Sequence, residues 1–385
     1  MIIIAFAGIL LGLIFDLTYS YNALLNPLKI TNNLNFKNRI VLAPLTRGRC
    51  GDNNIPGAKH HVDYYVQRSS AGLLISEGVA ISKQGNGWDG CPAIYNKDHI
   101  EGWKKVTSAV HNNNGKIFSQ LWHCGRASHS SYHGLIPVAP SAIAIDGTAY
   151  GRKGIKTPYE VPRELSIDEI SQIVQEFKNA AINAKESGFD GIELHGANGY
   201  LIDSFIQSVS NKRNDKYGGS IENRARFLNE ILDAVLDVWP STNVGVRLGP
   251  NTNYNGVGSI DYYETFSYIL NDLNRRNLAY AHVMDGTAFG FHNYGTPYRI
   301  SDIRKYYKGI LIVNCGYTPE KAEIVLETGT VDLVAFGLAF ISNPDLVERI
   351  SNGWPLTEPA PVSTWYTYPE GKPEVGYTDF PVYKP

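Results

Sequence analysis

The sequence predicts a single α/β domain folded as a closed (β/α)8 barrel, and three observations lead to this prediction. Short apolar runs alternate with longer amphipathic stretches from Asn38 onward, which is the order of strands and helices in a parallel barrel. The 385 residues, 43% of them hydrophobic, are enough for one large core. Polar residues suited to chemistry lie mostly where the apolar runs end, and a barrel forms its active site at those ends of its strands.

The candidate strands are eight apolar runs, each bounded by polar or glycine residues. A doubly wound parallel sheet is the alternative fold, but it requires a GxGxxG turn after its first strand. The chain has APLTRGRC there, from Ala43 to Cys50, so the barrel is favoured. The predicted strands are Arg39–Leu45, Leu73–Glu77, Lys116–Trp122, Gly191–His195, Val244–Leu248, Tyr280–Met284, Ile310–Asn314 and Leu333–Phe336.

Two of the helices between these strands are well marked. Ser220 is a suitable N-cap, and Glu222 in the first turn suits the positive end of a helix. Ile167–Ser187 reads as a second helix, which ends before Gly188 as helices with a glycine C-cap do. The periodic apolar residues after Ser220 are Ile221, Ala225, Leu228, Ile231, Leu232 and Val235.

Two long irregular stretches are expected to complete the barrel, which we place at residues 21–385. Gly125–Pro162 is rich in Gly, Pro and Ser and is expected to pass over the barrel mouth. The tail after Gly353 is rich in proline and aromatic residues, and we expect it to fold back onto the barrel instead of forming a second domain.

Residues 1–20 form a separate apolar segment. The run Ile2–Phe15 is closed by Asp16; it is too short for a membrane span of about 20 residues and has the length of a signal-peptide core. No Lys or Arg precedes it. A signal or anchor and a non-native start therefore both stay open, and the expected location is cytoplasmic, or endomembrane or secreted if the segment acts as a signal. Membrane association is expected only if the segment is retained.

The charge and cysteine content exclude some classes of function. A formal net charge of −2 with 19% charged residues provides no basic surface for nucleic acid. The cysteines are Cys50, Cys91, Cys124 and Cys315. Because none of them sits in a CxxC pair, no metal site is predicted. Four unpaired thiols are favoured over disulfides.

The stretch 191–227 carries the strongest functional signal. An apolar run ends at His195, Asn198 and Tyr200 follow at once, and a polar loop then leads into a helix. This arrangement resembles the old yellow enzyme family of FMN-dependent ene reductases, in particular its plant 12-oxophytodienoate reductase branch, from about Ala23 to Tyr383. The resemblance implies that His195 and Asn198 bind the substrate carbonyl, because two donors on one oxygen stabilise a developing enolate. It implies that Tyr200 donates the proton.

The same resemblance implies non-covalent FMN at the barrel mouth, reduced by NADPH or NADH. Pro44 and Leu45 would line the flavin, and the Thr46 hydroxyl would reach its O4 region. Gly78, after the second strand, would let the backbone approach the pyrimidine edge.

Two longer polar side chains complete the implied contacts with the flavin ring. Gln120 offers both a donor and an acceptor to the O2/N3 edge. Arg247 would oppose the negative charge formed near N1 and O2 on reduction. A buried strand arginine otherwise needs a carboxylate partner, and no such partner is close to Arg247 in the sequence.

The phosphate end of the cofactor site departs from the family pattern. Barrels commonly bind phosphate with the loops after strands seven and eight, where Gly316 and Gly337 can present backbone N–H groups. The family usually has Arg directly after the second glycine. This chain has Leu338 there, so a bidentate contact with phosphate is missing.

The expected substrate is a small α,β-unsaturated carbonyl compound. Trp122 is expected to shape its pocket, and Phe380 stands in GYTDFP where the plant enzymes have a substrate-lining Tyr. Two alternatives stay open. A dienoyl-CoA-type reductase is one, although those relatives carry a cysteine cluster and further domains. A flavin- or ligand-binding barrel with little turnover is the other. The oligomeric state cannot be read from the sequence.

Overall fold

The computed structural model describes residues 21–32, 34–150, 155–288 and 290–384. The apolar segment at residues 1–20 lies outside the described residues. Within the described part of the chain, no helix is both long enough and apolar enough to cross a membrane.

Eight parallel strands close into a barrel, which confirms the predicted fold and excludes the doubly wound sheet. The ring closes where Phe336 of the last strand lies opposite Leu42 of the first. The predicted strands are all present, although the first is shorter than expected and the second continues to Ala80. The strands are β1 (Ile40–Leu42), β2 (Leu73–Ala80), β3 (Ile117–Trp122), β4 (Gly191–Gly196), β5 (Val244–Leu248), β6 (Tyr280–Met284), β7 (Leu311–Asn314) and β8 (Leu333–Phe336).

Helices fill the connections between the strands. The α-helices are Asn22–Leu25, Lys59–Val66, Lys97–Asn112, Ser130–His133, Ile167–Glu186, Leu201–Ile206, Ile221–Leu236, Tyr262–Arg275, Ile300–Tyr306, Pro319–Glu327, Leu338–Ser342 and Leu346–Asn352. Short 3-10 turns occur at Ser241–Asn243, Tyr254–Gly256 and Val362–Thr364. Short two-stranded ladders pair Leu28–Lys29 with Asn35–Phe36, Val138–Ala139 with Arg163–Glu164, and Thr148–Tyr150 with Lys156–Pro158.

The two well-marked helices begin as the sequence predicts. The Ser220 hydroxyl accepts the Asn223 N–H and so caps Ile221–Leu236. Ile167–Glu186 begins with a capping box. It ends before Gly188, whose φ of +81° is the left-handed conformation that glycine adopts at low cost.

The lower half of the barrel interior is apolar and tightly packed. The rings of Phe118 and Tyr280 stack with centroids 5.7 Å apart. Glycines on the neighbouring strands leave room for these rings: a Cβ on Gly191 would come within 2.4 Å of Phe118, and one on Gly245 within 2.3 Å of Tyr280. Two large rings therefore fill the barrel because two facing positions have no side chain.

A polar layer lies above the apolar layer, just below the mouth. Gln120 Nε2 donates to Glu193 Oε1 at 2.8 Å, and His282 Nδ1 lies 2.9 Å from Glu193 Oε2. Arg247 Nη2 donates to Asn314 Oδ1 at 3.1 Å. These side chains come from five different strands, so the layer ties the strand ends together under the site.

Gly245→Ala is expected to lower the free energy of unfolding by about 1–3 kcal/mol, the usual cost of adding a methyl group to a packed core. The reason is the clash of the new Cβ with the Tyr280 ring, and urea denaturation measures the loss. Tyr280→Leu in the same background removes the ring. The double variant should therefore lose less stability than the sum of the single variants, and strictly additive losses would contradict this packing.

Candidate active site

A cavity of about 360 Å³ opens at the carboxyl ends of the barrel strands. Ala43 at the end of β1, Trp88 in a loop and Trp365 in the tail all contribute to its wall. Phe380 is not among the lining residues. The sequence-predicted site residues that do line the cavity are Pro44, Leu45, Thr46, Gly78, Gln120, Trp122, His195, Asn198, Tyr200, Arg247, Gly316, Gly337 and Leu338.

A tight turn after β4 brings His195, Asn198 and Tyr200 together. Asn198 has a φ of +61°, a left-handed conformation that asparagine tolerates better than most residues. The N–H of Gly199 donates to Asp203 Oδ2 at 2.8 Å and so fixes the turn. Tyr200 begins the helix Leu201–Ile206, and its ring centroid lies 5.0 Å from that of His195.

His195 is neutral, and one of its ring nitrogens is available for a hydrogen bond with a ligand. Burial, together with the charges of Arg247 and His282, lowers the pKa of the imidazole well below its usual value. Among the described residues, neither Nδ1 of His195 nor Oδ1 of Asn198 has a hydrogen-bond partner, although both atoms are shielded from solvent. Unpaired buried polar atoms are costly. An acceptor atom of a ligand would satisfy an N–H at His195 Nδ1, and a donor group would satisfy the Asn198 oxygen.

Tyr200 is held as a neutral phenol beside His195 in the cavity. Burial, followed by the nearby Tyr254 and Cys124, raises its pKa well above the usual value, while a hydrogen bond with Trp88 works in the opposite direction. The Trp122 ring packs edge-on against Tyr200, with centroids 4.8 Å apart. A phenol that keeps its proton at neutral pH is suited to donate it to a bound carbanion.

The part of the cavity wall around Gly78 and Arg247 can accept a flat polar ring. A bulge in β2 precedes Gly78, and a Cβ on Gly78 would lie 2.2 Å from the Trp122 ring, so only glycine fits here. Arg247 is 5% exposed, and its Nε has no partner within the described residues. Burial lowers the pKa of Arg247, and the charge of Glu193, a residue far away in sequence, partly offsets this effect. This carboxylate, on the neighbouring strand β4, is a counter-charge that the residues next to Arg247 in the sequence do not reveal.

These groups fit the isoalloxazine ring of FMN. Gln120 keeps an amide oxygen for the ring, since its Nε2 is bound to Glu193. The free Nε of Arg247 and the hydroxyl of Thr46 supply donors beside it. Pro44 and Leu45 supply apolar surface against which a planar ring packs.

Within the described residues, the phosphate end is made of backbone and lacks a side-chain cation. Cys315 and Gly316 have φ of +94° and +96°, and no atom lies within 4 Å of a Cβ built on Gly316, so backbone N–H groups are accessible there. Leu338 is 49% exposed. Among the described lining residues the cations are Arg247 and Arg47, and Arg47 is engaged elsewhere.

Arg47 and Arg49 bind the C-terminal tail to the barrel. Arg47 Nη2 donates to the Gly376 carbonyl at 2.6 Å, and its Nε donates to the Trp365 carbonyl at 3.0 Å. Arg49 Nη1 also donates to the Trp365 carbonyl, at 2.9 Å. These contacts bring the rings of Trp365 and Tyr366 to the cavity.

Several lining residues were not predicted from the sequence. Trp88, Tyr254, Trp365 and Tyr366 lie on loops and on the tail, where no periodicity marks a buried face. The described cysteines form no disulfide. Within the same described ranges, no cluster of His, Cys, Asp or Glu could hold a metal ion.

Comparison with known proteins places the chain in a family. The profile of the NADH:flavin oxidoreductase / NADH oxidase family matches residues 23–357. A protein of Leishmania infantum named probable flavin mononucleotide-dependent alkene reductase is 41% identical and covers 94% of this chain and 98% of its own length. 12-oxophytodienoate reductase 2 of Arabidopsis thaliana is 38% identical, with 93% and 95% covered.

Solved structures agree with this assignment. The old yellow enzyme homologue from Zymomonas mobilis superposes with a TM-score of 0.88 at 38% identity, covering 94% of this chain and 99% of that one. Morphinone reductase in complex with tetrahydroNAD gives a TM-score of 0.86 at 40% identity, with 94% and 98% covered. The chain therefore belongs to the NADH:flavin oxidoreductase / NADH oxidase family, as one of its old yellow enzyme members.

Proposed function

We propose that the protein is an FMN-dependent, NAD(P)H-consuming reductase of the C=C bond in α,β-unsaturated carbonyl compounds. The observation that carries the proposal is the convergence of His195, Asn198 and Tyr200 on one cavity beside a wall that fits a flavin. Relatives named as an alkene reductase, 12-oxophytodienoate reductases and morphinone reductase support it.

The carbonyl oxygen of the substrate is bound by His195 and Asn198. The neutral imidazole donates one N–H, and the Asn198 side-chain amide donates another. Two donors fixed before the reaction stabilise the negative oxygen of the enolate without having to reorganise. When bound, FMN supplies the hydride that adds to the β-carbon, after NADPH or NADH has reduced it.

Tyr200 completes the reaction by giving its proton to the α-carbon. Its raised pKa keeps the proton in place until a strongly basic carbanion is present. Trp88 orients the phenol through their hydrogen bond, and Trp122 packs against its ring. Different side chains thus bind the carbonyl oxygen and donate the proton. The addition of hydride and proton to two adjacent carbons requires both roles.

A binding barrel with little turnover is the competing function, motivated by the missing phosphate cation at Leu338. An intact proton donor has no purpose in such a protein. The two half-reactions, flavin reduction and enone reduction, therefore distinguish the candidates when they are measured separately.

Tyr200→Phe is expected to leave flavin reduction by NADPH intact and to slow enone reduction by roughly 10²–10⁴-fold, the usual value of a positioned acid. Stopped-flow absorbance of the flavin follows both half-reactions. Tyr263→Phe, on an outer helix, serves as the matched control and should change neither. Equal slowing of both half-reactions in Tyr200→Phe would contradict the assigned role.

Asn198→Ala and Asn198→Gly are expected to weaken phenol binding roughly ten- to a hundredfold, the value of one hydrogen bond to a charged oxygen. A phenolate offers the negative oxygen that the donor pair binds, and a long-wavelength charge-transfer band of the flavin reports its binding. The glycine variant relieves the left-handed backbone at this position. If it binds phenols like the wild type while only the alanine variant is weak, the backbone and not the amide is responsible.

Leu338→Arg is expected to tighten FMN binding roughly ten- to a hundredfold, since a guanidinium–phosphate hydrogen bond contributes about 1.5–3 kcal/mol. Quenching of flavin fluorescence on titrating the apoprotein gives the dissociation constant. Leu338→Gln is the control, because its side chain is polar and long but carries no charge. An unchanged or weaker affinity in the arginine variant would mean that other groups already hold the phosphate.

A further inference from the structure

A carboxylate lies one layer below the active site, inside the barrel. Glu193 precedes His195 by two positions on β4, so both side chains point to the same face and Glu193 lies about 7 Å further down the strand. It is fully enclosed and is not among the described residues that line the cavity. Any effect of Glu193 on the site is therefore exerted through its charge or through its neighbours.

Neutral donors bind both oxygens of this carboxylate. Gln120 Nε2 donates to Oε1 at 2.8 Å, and His282 Nδ1 donates to Oε2 at 2.9 Å. Burial lowers the pKa of His282, and the nearby Glu193 offsets only part of this effect, so the imidazole is neutral. Because neither donor is a cation, the two hydrogen bonds satisfy the oxygens and leave the negative charge in the layer.

The charge of Glu193 acts on Arg247, the cation in the part of the wall that fits the flavin. Arg247 lies opposite His195 on β5, and Glu193 lies opposite Gly245, two positions earlier. Burial lowers the pKa of Arg247, and Glu193 contributes the largest of the charges that oppose this effect. The positive field of Arg247 at the cavity is therefore reduced by a negative charge one layer below.

We propose that Glu193 sets the reduction potential of the bound flavin and holds it below the value that Arg247 alone would give. Reduction places negative charge near N1 and O2 of the ring, which a nearby cation favours and a nearby anion disfavours. A unit charge roughly 8 Å away changes such an equilibrium about tenfold at the effective dielectric constant of a protein. A lower potential makes the reduced flavin a stronger hydride donor to the enone. The inference deepens the proposed function and rests on its FMN cofactor.

The test is the two-electron midpoint potential of the FMN-loaded protein, measured anaerobically against a reference dye. Glu193→Gln keeps the shape of the side chain and an oxygen acceptor for Gln120 but removes the charge. The equilibrium between oxidised and reduced flavin should shift roughly tenfold towards the reduced form, which makes the potential about 30 mV more positive. Glu193→Asp keeps the charge, and His282→Gln replaces one neutral side chain by another. Both are controls and should shift the potential less.

The sign of the shift separates this electrostatic role from a structural one. If Glu193 only holds Gln120 and Arg247 in place, Glu193→Gln loosens the guanidinium and the potential falls. A lower or unchanged potential in Glu193→Gln would therefore overturn the inference.

A second variant keeps the inference testable if Glu193→Gln does not retain FMN. His282→Lys places an ammonium group beside the same carboxylate and should also raise the potential, and an unchanged or lower potential in this variant would count equally against the inference. Neither measurement uses an enone. A failure here is thus distinct from a failure of the proposed function, which reoxidation of the flavin by enones tests.

Discussion

The buried carboxylate of Glu193 is the constraint on which the barrel mouth depends. It is fully enclosed, and an enclosed charge without partners would cost several kcal/mol. Gln120 and His282 supply those partners from two other strands. Burial lowers the pKa of Arg247, and Glu193 lies close enough for its charge to offset part of this effect. One carboxylate in the centre of the barrel thus fixes the side chains that form the floor of the site.

The same polar layer also affects the protonation state of His195 above it. His195 pairs in register with Arg247 on the neighbouring strand, and the charge of Arg247, added to burial, lowers the imidazole pKa. His195 is therefore a neutral donor and not a permanent cation. A cation would bind any anion that entered the cavity, whereas a neutral donor pair gives its largest stabilisation to the oxygen that becomes negative during reaction.

The barrel and most of the site could be predicted because they are encoded locally. Strands buried on both faces of a parallel barrel read as apolar runs, and the residues that follow such runs, His195 and Thr46 among them, meet at one end by topology. The replacement of the family's phosphate-binding arginine by Leu338 could also be read from the sequence, because Leu338 follows Gly337 at the end of the apolar run that forms β8.

The remaining parts of the site depend on contacts that leave no local pattern. Arginine side chains that follow β1 bind main-chain carbonyls of the tail and so bring Tyr366 to the cavity. Because every residue has such a carbonyl, the sequence does not show which of them an arginine will bind. The aromatic residues of the tail that line the cavity are Trp365 and Tyr366, whereas Phe380 does not line it. An irregular tail has no periodicity that would show which of its rings face inward. Glu193 was missed as the counter-charge of Arg247 because the two residues are far apart in sequence and come together only when β4 pairs with β5.

The central claim is that one cavity passes hydride from a nicotinamide to an enone by way of a bound flavin. Anaerobic absorbance spectroscopy of the purified yellow protein tests it most directly. NADPH or NADH should bleach the flavin band, and adding cyclohexenone after the nicotinamide has been consumed should restore it in full. A flavin that bleaches but is not reoxidised by any α,β-unsaturated carbonyl compound would contradict the account.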